Sequence, residues 1–350
     1  MSGPTPALRD DPRVDPRLVT AVEPFGMADP LPPSKLDASA PLDTIRSVLD
    51  RLEAGSSHMM GPATAGLDPV VDVDRSTEQI HGVDGHDITL YVHRPAGDRE
   101  ADVGPVPGIL HLHGGGGVMM AAADDNYVRW RDELAVRGLV VIGVEFRNGA
   151  GRLGPHPFPA GLDDCAAALD HVHAQRERLG IDRLVVSGDS GGANLALATT
   201  IRAQRERRLD HIDGVYALCP YISNGYADPP ATLPSLHEND GYLVSVAFLG
   251  AMAKVYAPDP ADAQNPLAWP LHAADSDLEG LPPHVISVNE LDPLRDEGLT
   301  YFRRLLAAGV AARGRTVNGT IHAAENNYFA VIPDIARSTV ADIVEFARSL

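Results

Sequence analysis

The sequence predicts an α/β protein built on a mostly parallel, eight-stranded sheet flanked by helices. From Val106 onward, apolar segments of strand length alternate with amphipathic segments of helix length, a pattern typical of a parallel sheet covered on both faces. Ahead of this alternation, two strand-like segments, 70–82 and 87–94, flank Asp84-Gly85, a dipeptide typical of a hairpin turn. We therefore expect an antiparallel pair at one edge of the sheet.

The composition limits the class of protein. Of 350 residues, 44% are hydrophobic and 22% are charged, as in ordinary soluble globular proteins. No apolar run approaches the roughly 18 residues of a membrane-spanning helix. The first residues lack the basic flank and apolar stretch of a secretory signal, so the cytoplasm is expected. The net charge of −19 disfavours nucleic acid and anionic membranes as partners and favours a neutral substrate.

Residues 1–69 are predicted to form an N-terminal arm and cap helices. The first forty residues are rich in proline and lack periodicity, so an extended arm is expected there. A helix is predicted from residue 42, because apolar residues recur at helical spacing at Leu42, Ile45, Val48, Leu49 and Leu52. Gly55 is its predicted end.

Residues 70–219 and 271–350 are predicted to form the two parts of the α/β core. After the hairpin, strands are expected at 106–113, 139–146, 183–187, 215–219, 284–288 and 315–321. Helices are expected between them, at about 124–136, 160–180 and 193–207, and after each of the last two strands.

The segment 220–270 interrupts this alternation. It is rich in Pro, Asn, Asp and Tyr and contains one helical stretch, 244–256. We predict a cap insertion that lies over the carboxyl ends of the strands, because ligand sites in such sheets occur there.

The strongest local motif is G-D-S-G-G at 188–192, between a strand and a helix. A G-x-S-x-G in that setting predicts a nucleophile elbow, a sharp turn that exposes the serine hydroxyl above the sheet. The N–H groups at the start of the helix would face developing negative charge. The alternative is a chance match in a glycine-rich chain, and the placement of the motif argues against it. Ser190 is the predicted nucleophile.

A second motif, H-G-G-G-G at 113–117, follows an apolar strand. Consecutive glycines present N–H groups that no side chain obstructs, as an oxyanion hole requires. A flexible turn is the plain alternative, and four glycines make it entropically costly. A phosphate-binding loop would need a G-K-[ST] element, which is missing. A metal pair of His111 and His113 lacks an evident third ligand.

A nucleophilic serine needs a base, and the base needs an acid that orients it. In this arrangement the order along the chain is serine, acid, histidine. Asp292 falls in the loop just after the strand 284–288 and is the predicted acid. Glu290 is expected to point along the strand, and Asp296 and Glu297 to lie in the first turn of a helix.

His322, at the end of the last predicted strand, is the predicted base. Three other histidines follow Ser190 along the chain. His237 and His272 lie in or near the insertion, and His284 opens a strand at the end that faces away from catalysis.

Four further residues are interpreted as structural. Cys165 and Cys219 lie in apolar contexts and are predicted to be buried thiols, since two cysteines do not make a disulfide framework. His171 and His173 are two residues apart on a helix and face different sides. They are expected to be solvated or capping histidines.

Together these motifs are similar to those of the bacterial hormone-sensitive-lipase-like carboxylesterases, which have the α/β-hydrolase fold. The resemblance rests on H-G-G-G, G-D-S-x-G, D-P-L-x-D-E at 292–297 and the late histidine, and runs from about residue 70 to the C-terminus. It implies oxyanion-hole N–H groups from Gly115, Gly116 and Gly191. It also implies a cap made of the N-terminal helices and the insertion, and a homodimer.

The chain departs from this family at three points. Gly117 stands where members often carry a bulky aromatic residue, which predicts a wider pocket there. N-G-A-G-R-L-G at 148–154 replaces a shorter L-A-P-E segment and is expected to reshape the rim of the cleft. Ala323 follows the histidine where glycine is usual. None of these changes removes a catalytic group.

The predicted function is hydrolysis of short- to medium-chain neutral esters through Ser190, His322, Asp292 and an acyl-enzyme, with no metal and no organic cofactor. An amidase or carbamate hydrolase would use the same residues. A small-molecule receptor on this fold is a different class of protein, and such receptors tend to lose the histidine that is present here. A lipase acting at lipid interfaces would need a large apolar lid, whereas the segment 220–270 is polar.

Overall fold

The strands of the predicted alternation pair into one sheet. The computed structural model describes residues 5–29, 36–97 and 104–350, and only the backbone of residues 56–63. The strands are β1 (Val73–His81), β2 (Asp87–Pro95), β3 (Val106–Leu112), β4 (Val140–Glu145), β5 (Ile181–Asp189), β6 (Gly214–Leu218), β7 (His284–Asn289) and β8 (Ala312–Val317). Within the described ranges they form an eight-stranded sheet in the order β1-β2-β4-β3-β5-β6-β7-β8. β2 is antiparallel to β1 and β4, and the remaining neighbours are parallel, which confirms the predicted fold class and edge.

Helices cover both faces of this sheet. They are α1 (Pro16–Val22), α2 (Leu42–Thr64), α3 (Asp125–Ala135), α4 (Ala160–Ala174), α5 (Arg176–Leu179), α6 (Gly191–Arg205), α7 (Ser235–Glu238), α8 (Val246–Tyr256), α9 (Asp275–Leu278), α10 (Arg295–Ala307), α11 (Ala324–Asn327) and α12 (Pro333–Ser349). Because side chains alternate along a strand, Leu184 and Val186 of β5 pack in the core cluster of α4, α6 and α10, whereas Val185 packs with α3 and α12. This double cover explains why the inner strands β4, β6 and β7 are buried along almost their whole length.

A further apolar cluster, called here the α2–α8 cluster, joins the N-terminal part of the chain to the segment 220–270. It contains Ile45 and Leu49 of α2, Met252 and Val255 of α8, and Trp269. The cluster therefore combines the two segments that the sequence assigns to a cap. Their assignment as a separate domain stays a prediction.

Glu297 fastens the segment 220–270 to the core. As predicted, it lies in the first turn of α10, but it is also buried, which the sequence does not indicate. Its carboxylate accepts hydrogen bonds from the Ile222 N–H (2.7 Å) and the Tyr226 hydroxyl (2.9 Å). Burial raises the pKa of Glu297 to about 8.

Two predictions for the N-terminal part are wrong. Helix α2 does not end at Gly55 but continues to Thr64, since one glycine inside a helix costs only about 1 kcal/mol. Residues 16–22 form α1 instead of an extended arm, with Asp15 capping the helix by accepting the Arg17 N–H. Residues 1–4 and 30–35 of the predicted arm lie outside the described residues.

The last strand also differs from the prediction. β8 covers residues 312–317 rather than 315–321, so His322 lies in a loop and not at the end of the strand. Asn318 and Gly319 are turn-forming residues, and Gly319 has a φ of +79°, which ends the pairing with β7. Among the described residues, none of the helices has both the length and the apolar composition needed to span a bilayer.

Candidate active site

Ser190 lies at the sharp turn between β5 and α6. Its φ of 53° and ψ of −116° are unusual for a residue with a side chain. The glycines around it are required by close packing. A Cβ on Gly188 would lie 2.4 Å from the Gly192 carbonyl carbon, and one on Gly192 would lie 2.1 Å from the Leu112 oxygen. The structure thus has the elbow geometry that the motif predicts.

His322 connects Ser190 to Asp292. Its Nε2 lies 2.9 Å from the Ser190 Oγ, and its Nδ1 lies 2.8 Å from the Asp292 Oδ2. Asp292 is fully buried, and its other carboxylate oxygen accepts the Leu294 N–H at 2.9 Å. Three residues that are far apart in the sequence therefore form one line of hydrogen bonds.

Asn289 holds the loop that carries His322, a role that was not predicted from the sequence. Its side-chain amide donates to the Thr320 hydroxyl and to the Glu325 carboxylate, both at 2.7 Å. Its side-chain oxygen accepts the Ala323 N–H at 3.2 Å. Because these partners lie on both sides of His322, Asn289 fixes the position of the imidazole. A lone asparagine at a strand end gives no sequence signal of this role.

The N-terminal segment supports the same region from outside. Leu18 and Val22 of α1 pack with Leu291 and Ile321, the residues that directly precede Asp292 and His322. The Asp15 N–H donates to the Gly319 oxygen at 2.9 Å. The segment predicted to be an arm is thus part of the packing around Asp292 and His322.

The charge of Asp292 sets the proton affinity of His322. Burial alone would lower the pKa of His322, but the Asp292 carboxylate and the Cys219 side chain outweigh burial, and the pKa is raised well above the ordinary value of 6.5. Cys165 and Cys219 are both buried, as predicted. The contact of Cys219 with His322 was not predicted, because it depends on where β6 ends relative to the final loop.

The three glycines that the resemblance assigns to an oxyanion hole lie next to Ser190. Within the described residues, the N–H groups of Gly115 and Gly116 donate to no protein acceptor. Gly191 opens α6, so its N–H has no acceptor within the helix. A Cβ on Gly191 would lie 2.5 Å from the Gly116 nitrogen, so the two backbone segments are in contact. The arrangement offers free donors on one side of the serine.

Buried side chains hold the start of the glycine loop. The Gly114 N–H donates to the Tyr127 hydroxyl at 2.9 Å. His113 stacks on Phe146, with ring centroids 4.0 Å apart, and its Nδ1–H donates to the Gly114 oxygen at 2.9 Å. Burial lowers the pKa of His113 to about 3 and that of His111 well below its ordinary value. Among the described residues, neither histidine belongs to a group that could hold a metal ion.

The expected widening of the pocket at Gly117 is wrong. The Tyr256 ring of α8 fills the space in which a side chain at this position would begin, since a Cβ there would lie 2.8 Å from the ring. The α2–α8 cluster thus supplies from another part of the chain the aromatic ring that the glycine loop lacks.

The loop 148–154 bridges the glycine loop and α2. The Gly149 N–H donates to the Gly117 oxygen at 2.8 Å, and the Asn148 side chain donates to the Met120 oxygen at 2.8 Å. On its other side, the Arg152 N–H donates to Glu53 of α2 at 2.6 Å. The loop lines a cavity of about 480 Å³ together with residues 46–54 of α2.

The competing acids and histidines have other partners. Glu290 accepts the Gly319 N–H at 2.8 Å, and Asp296 accepts the Ser235 N–H at 2.7 Å. His272 Nε2 lies 2.8 Å from the Ser223 oxygen, and His237 Nε2 lies 3.2 Å from the Pro229 oxygen. His284 is buried at the start of β7, and burial lowers its pKa to about 4.

Comparisons with known proteins agree with this geometry. Residues 109–326 match a family model described as an alpha/beta hydrolase fold. A solved structure titled brefeldin A esterase, a bacterial homologue of human hormone sensitive lipase, is 41% identical with a TM-score of 0.92, and the match covers 99% of this chain and 98% of that one. Esterase LipI of Mycobacterium tuberculosis (strain ATCC 25618 / H37Rv) is 32% identical, covering 69% of this chain and 73% of that protein. Ethyl acetate hydrolase of Pseudomonas putida is 34% identical, covering 68% and 72%.

The chain belongs to the α/β-hydrolase family. Within it, the match to a homologue of hormone sensitive lipase confirms the predicted resemblance to the hormone-sensitive-lipase-like carboxylesterases. The family match spans both the glycine loop and the loop of His322.

Proposed function

We propose that this protein is a serine carboxylesterase that cleaves short- to medium-chain neutral esters through an acyl-enzyme on Ser190. Hydrolysis of carboxylic esters follows from the family and from relatives named esterases. The observation that carries the proposal is the line of hydrogen bonds from Asp292 through His322 to Ser190, at 2.8 and 2.9 Å.

In the first half of the proposed reaction, the Ser190 Oγ attacks the ester carbonyl carbon while His322 Nε2 takes the hydroxyl proton. Asp292 stabilises the resulting imidazolium through the bond to Nδ1. His322 then gives the proton to the leaving alkoxide, and the C–O bond of the ester breaks. The alcohol departs, and the acyl group remains on Ser190.

The N–H groups of Gly115, Gly116 and Gly191 are the proposed donors to the oxyanion. These donors are already in place before the substrate binds, so the backbone does not have to reorganise when charge develops on the carbonyl oxygen. In the second half, water takes the role that Ser190 had in the first: it gives a proton to His322 Nε2 and attacks the acyl carbon. His322 then returns this proton to the Ser190 Oγ as the bond between Oγ and the acyl carbon breaks. Ser190 leaves with its proton restored, and the acid is released.

The proposed substrate class rests on charge and on the closeness of the cap residues. A net charge of −19 disfavours anionic substrates. Beside the glycine loop, a Cβ on Gly116 would lie 2.4 Å from the end of the Met252 side chain, and Tyr256 closes against Gly117. These contacts leave little room directly beside the proposed oxyanion site, which favours small acyl groups.

The test is hydrolysis of p-nitrophenyl esters from acetate to palmitate, with p-nitroacetanilide and brefeldin A as further substrates. We expect activity on the shorter esters that falls by about 10⁶-fold in Ser190→Ala, the loss typical of removing such a serine. Ser187→Ala is the matched control, because Ser187 is buried on β5, three residues before Ser190, and its hydroxyl has no partner in the described part of the chain.

Each outcome has a definite meaning. Full activity in Ser190→Ala would exclude the proposed nucleophile. Hydrolysis of the anilide without hydrolysis of any ester would replace the esterase by an amidase. A preference for palmitate over acetate would keep the mechanism and contradict the proposed chain length.

A further inference from the structure

Two histidines that are distant in the sequence meet on the surface. His173 lies in the last turn of α4, and His211 ends the short 3-10 turn Leu209–His211 between α6 and β6. Their rings are stacked, with centroids 3.8 Å apart and planes 13° from parallel. This contact was not predicted from the sequence, because it depends on tertiary packing.

Asp210 completes a set of three potential metal ligands. One atom each of His173, Asp210 and His211 lies within 4.8 Å of the other two. Ligand atoms of a tetrahedral zinc ion are about 3.3 Å apart, given bonds of about 2.0–2.1 Å. Rotation of the two rings and of the exposed Asp210 side chain would therefore bring the three ligand atoms to the spacing of a zinc site.

His211 is already oriented in the way that metal ligands require. Its Nδ1 lies 3.0 Å from the Asp170 Oδ1, so Nδ1–H donates to the carboxylate and the lone pair is left on Nε2. A carboxylate behind the imidazole is the usual support of a metal-bound histidine. Arg208 in turn binds the second oxygen of Asp170. On the other ring, the His173 Nδ1 is buried and has no partner in the described part of the chain.

The electrostatic surroundings favour a cation. Asp170 and Asp210 are the nearby carboxylates, and the C-terminal end of α4 adds a partial negative charge. Arg176 and Arg208 are the opposing charges, and both are paired. Arg176 is engaged with the Asp213 carboxylate and the His211 oxygen, at 2.8 and 2.9 Å, and Arg208 with the carboxylates of Asp170 and Glu206.

We propose that His173, Asp210 and His211 bind one divalent transition-metal ion of the zinc type, with water in the fourth position. Two imidazoles and one carboxylate suit Zn²⁺ or Ni²⁺ and not Mg²⁺ or Ca²⁺, which prefer all-oxygen sites. The ion would join the end of α4 to the connection between α6 and β6. It would therefore stabilise the fold without entering the reaction.

The proposed metal site lies at the amino-terminal ends of the strands, whereas Ser190 lies at their carboxyl ends. α4 leads into the start of β5, and the turn 209–211 leads into the start of β6, whereas Ser190 follows the end of β5. Ester hydrolysis and metal binding at this site are therefore expected to be independent, and the failure of one proposal leaves the other intact.

The test is isothermal titration of the untagged, metal-free protein with ZnCl₂, followed by thermal unfolding with and without zinc. We expect one Zn²⁺ per chain and a higher unfolding midpoint. Asp170→Asn keeps all three ligands and should weaken binding by about 10–100-fold, and His173→Gln or His211→Gln should weaken it further. His81→Gln is the matched control, because exposed His81 also pairs with a carboxylate, that of Asp87 at 3.0 Å, in the hairpin β1–β2.

Esterase activity of the metal-free variants should equal that of the wild type. Unchanged zinc affinity in the double variant of His173 and His211 would overturn the proposal and would place the zinc elsewhere. The other group of three ligands in the described residues is Cys219, Asp292 and His322, and zinc bound there would inhibit hydrolysis. Absence of binding, or equal competition by Mg²⁺, would also overturn it.

Discussion

Around His322 the side chains are fixed by buried hydrogen bonds, whereas the helices beside the glycine loop are fixed by apolar packing. Asn289 and Asp292 hold the loop and the imidazole through contacts of 2.7 to 3.2 Å. In the α2–α8 cluster, Tyr256 instead packs edge-on against Trp269, with ring centroids 5.4 Å apart. Hydrogen bonds fix direction and distance, and apolar packing fixes mainly volume. The first region is therefore suited to proton transfer, and the second to the selection of substrate shape.

After the loss of Ser190 itself, the largest expected effect lies in the hydrogen-bonded region. Asp292→Asn should lower kcat by about 10⁴-fold, because the amide favours the wrong tautomer of His322 and carries no charge to stabilise the imidazolium. Glu290→Gln is the control, since the amide oxygen can still accept the Gly319 N–H. Steady-state kinetics on a short ester measure both. Equal losses in the two variants would show that Asp292 has no special role.

A smaller loss is expected where the two backbone segments touch. Gly191→Ala places a Cβ 2.5 Å from the Gly116 Cα and nitrogen and should push the glycine loop out of position. Removal of one oxyanion donor typically lowers kcat by about 10²–10³-fold. Gly55→Ala is the control, because a Cβ at that helical position meets nothing within 4 Å. Wild-type kcat in Gly191→Ala would contradict the proposed oxyanion hole.

Substitution of Asn289 tests whether this residue positions His322 or contributes to substrate binding. Asn289→Ala removes three hydrogen bonds beside His322, and kcat should fall by about 10–100-fold through misplacement of the imidazole. KM should change little, because Asn289 is buried behind the loop. A merely structural role would lower the unfolding midpoint and leave kcat of the folded protein intact. Measuring kcat, KM and thermal unfolding together distinguishes the two.

Changes in the apolar region should act on selectivity. Tyr256→Leu opens the space beside Gly117 and should shift the ratio of kcat/KM for longer against shorter acyl chains by about tenfold, with kcat on acetate nearly unchanged. Tyr256→Phe is the matched control, since the hydroxyl has no partner in the described residues. A tenfold loss on every ester alike would show that the two regions are not separable.

The smallest expected effect concerns pH. Because the folded pKa of His322 is raised above its ordinary value of 6.5, protonated His322 stabilises the fold. This contribution is fully present below about pH 6.5 and is lost as pH rises through the folded pKa.

The activity has the opposite dependence, since the base must be neutral. Cys219→Ala should move the rising limb of kcat/KM to lower pH, because Cys219 helps to raise the pKa. An unmoved limb would exclude a role of Cys219.

The sequence by itself determined the sheet and the sharp turn at Ser190, and it selected Asp292 and His322 as the candidate acid and base. Apolar runs predict the inner strands because these are covered on both faces. The glycines at 188 and 192 indicate the turn because a Cβ at either position would lie less than about 3 Å from a backbone atom, so no other residue fits there. Asp292 and His322 could be chosen because the order of serine, acid and histidine is fixed by the topology.

Only the tertiary structure decided which distant side chains meet. The length of α2 and the fold of the N-terminal segment were mispredicted, because each depends on packing against parts of the chain that are far away in sequence. The end of β8 was mispredicted for a local reason, since the turn at Asn318 and Gly319 ends its pairing with β7. Asn289 behind His322, Tyr256 beside Gly117, and His173 on His211 leave no local pattern for the same reason. Periodicity reports which face of an element is buried, but the partner on that face is set by how the elements dock.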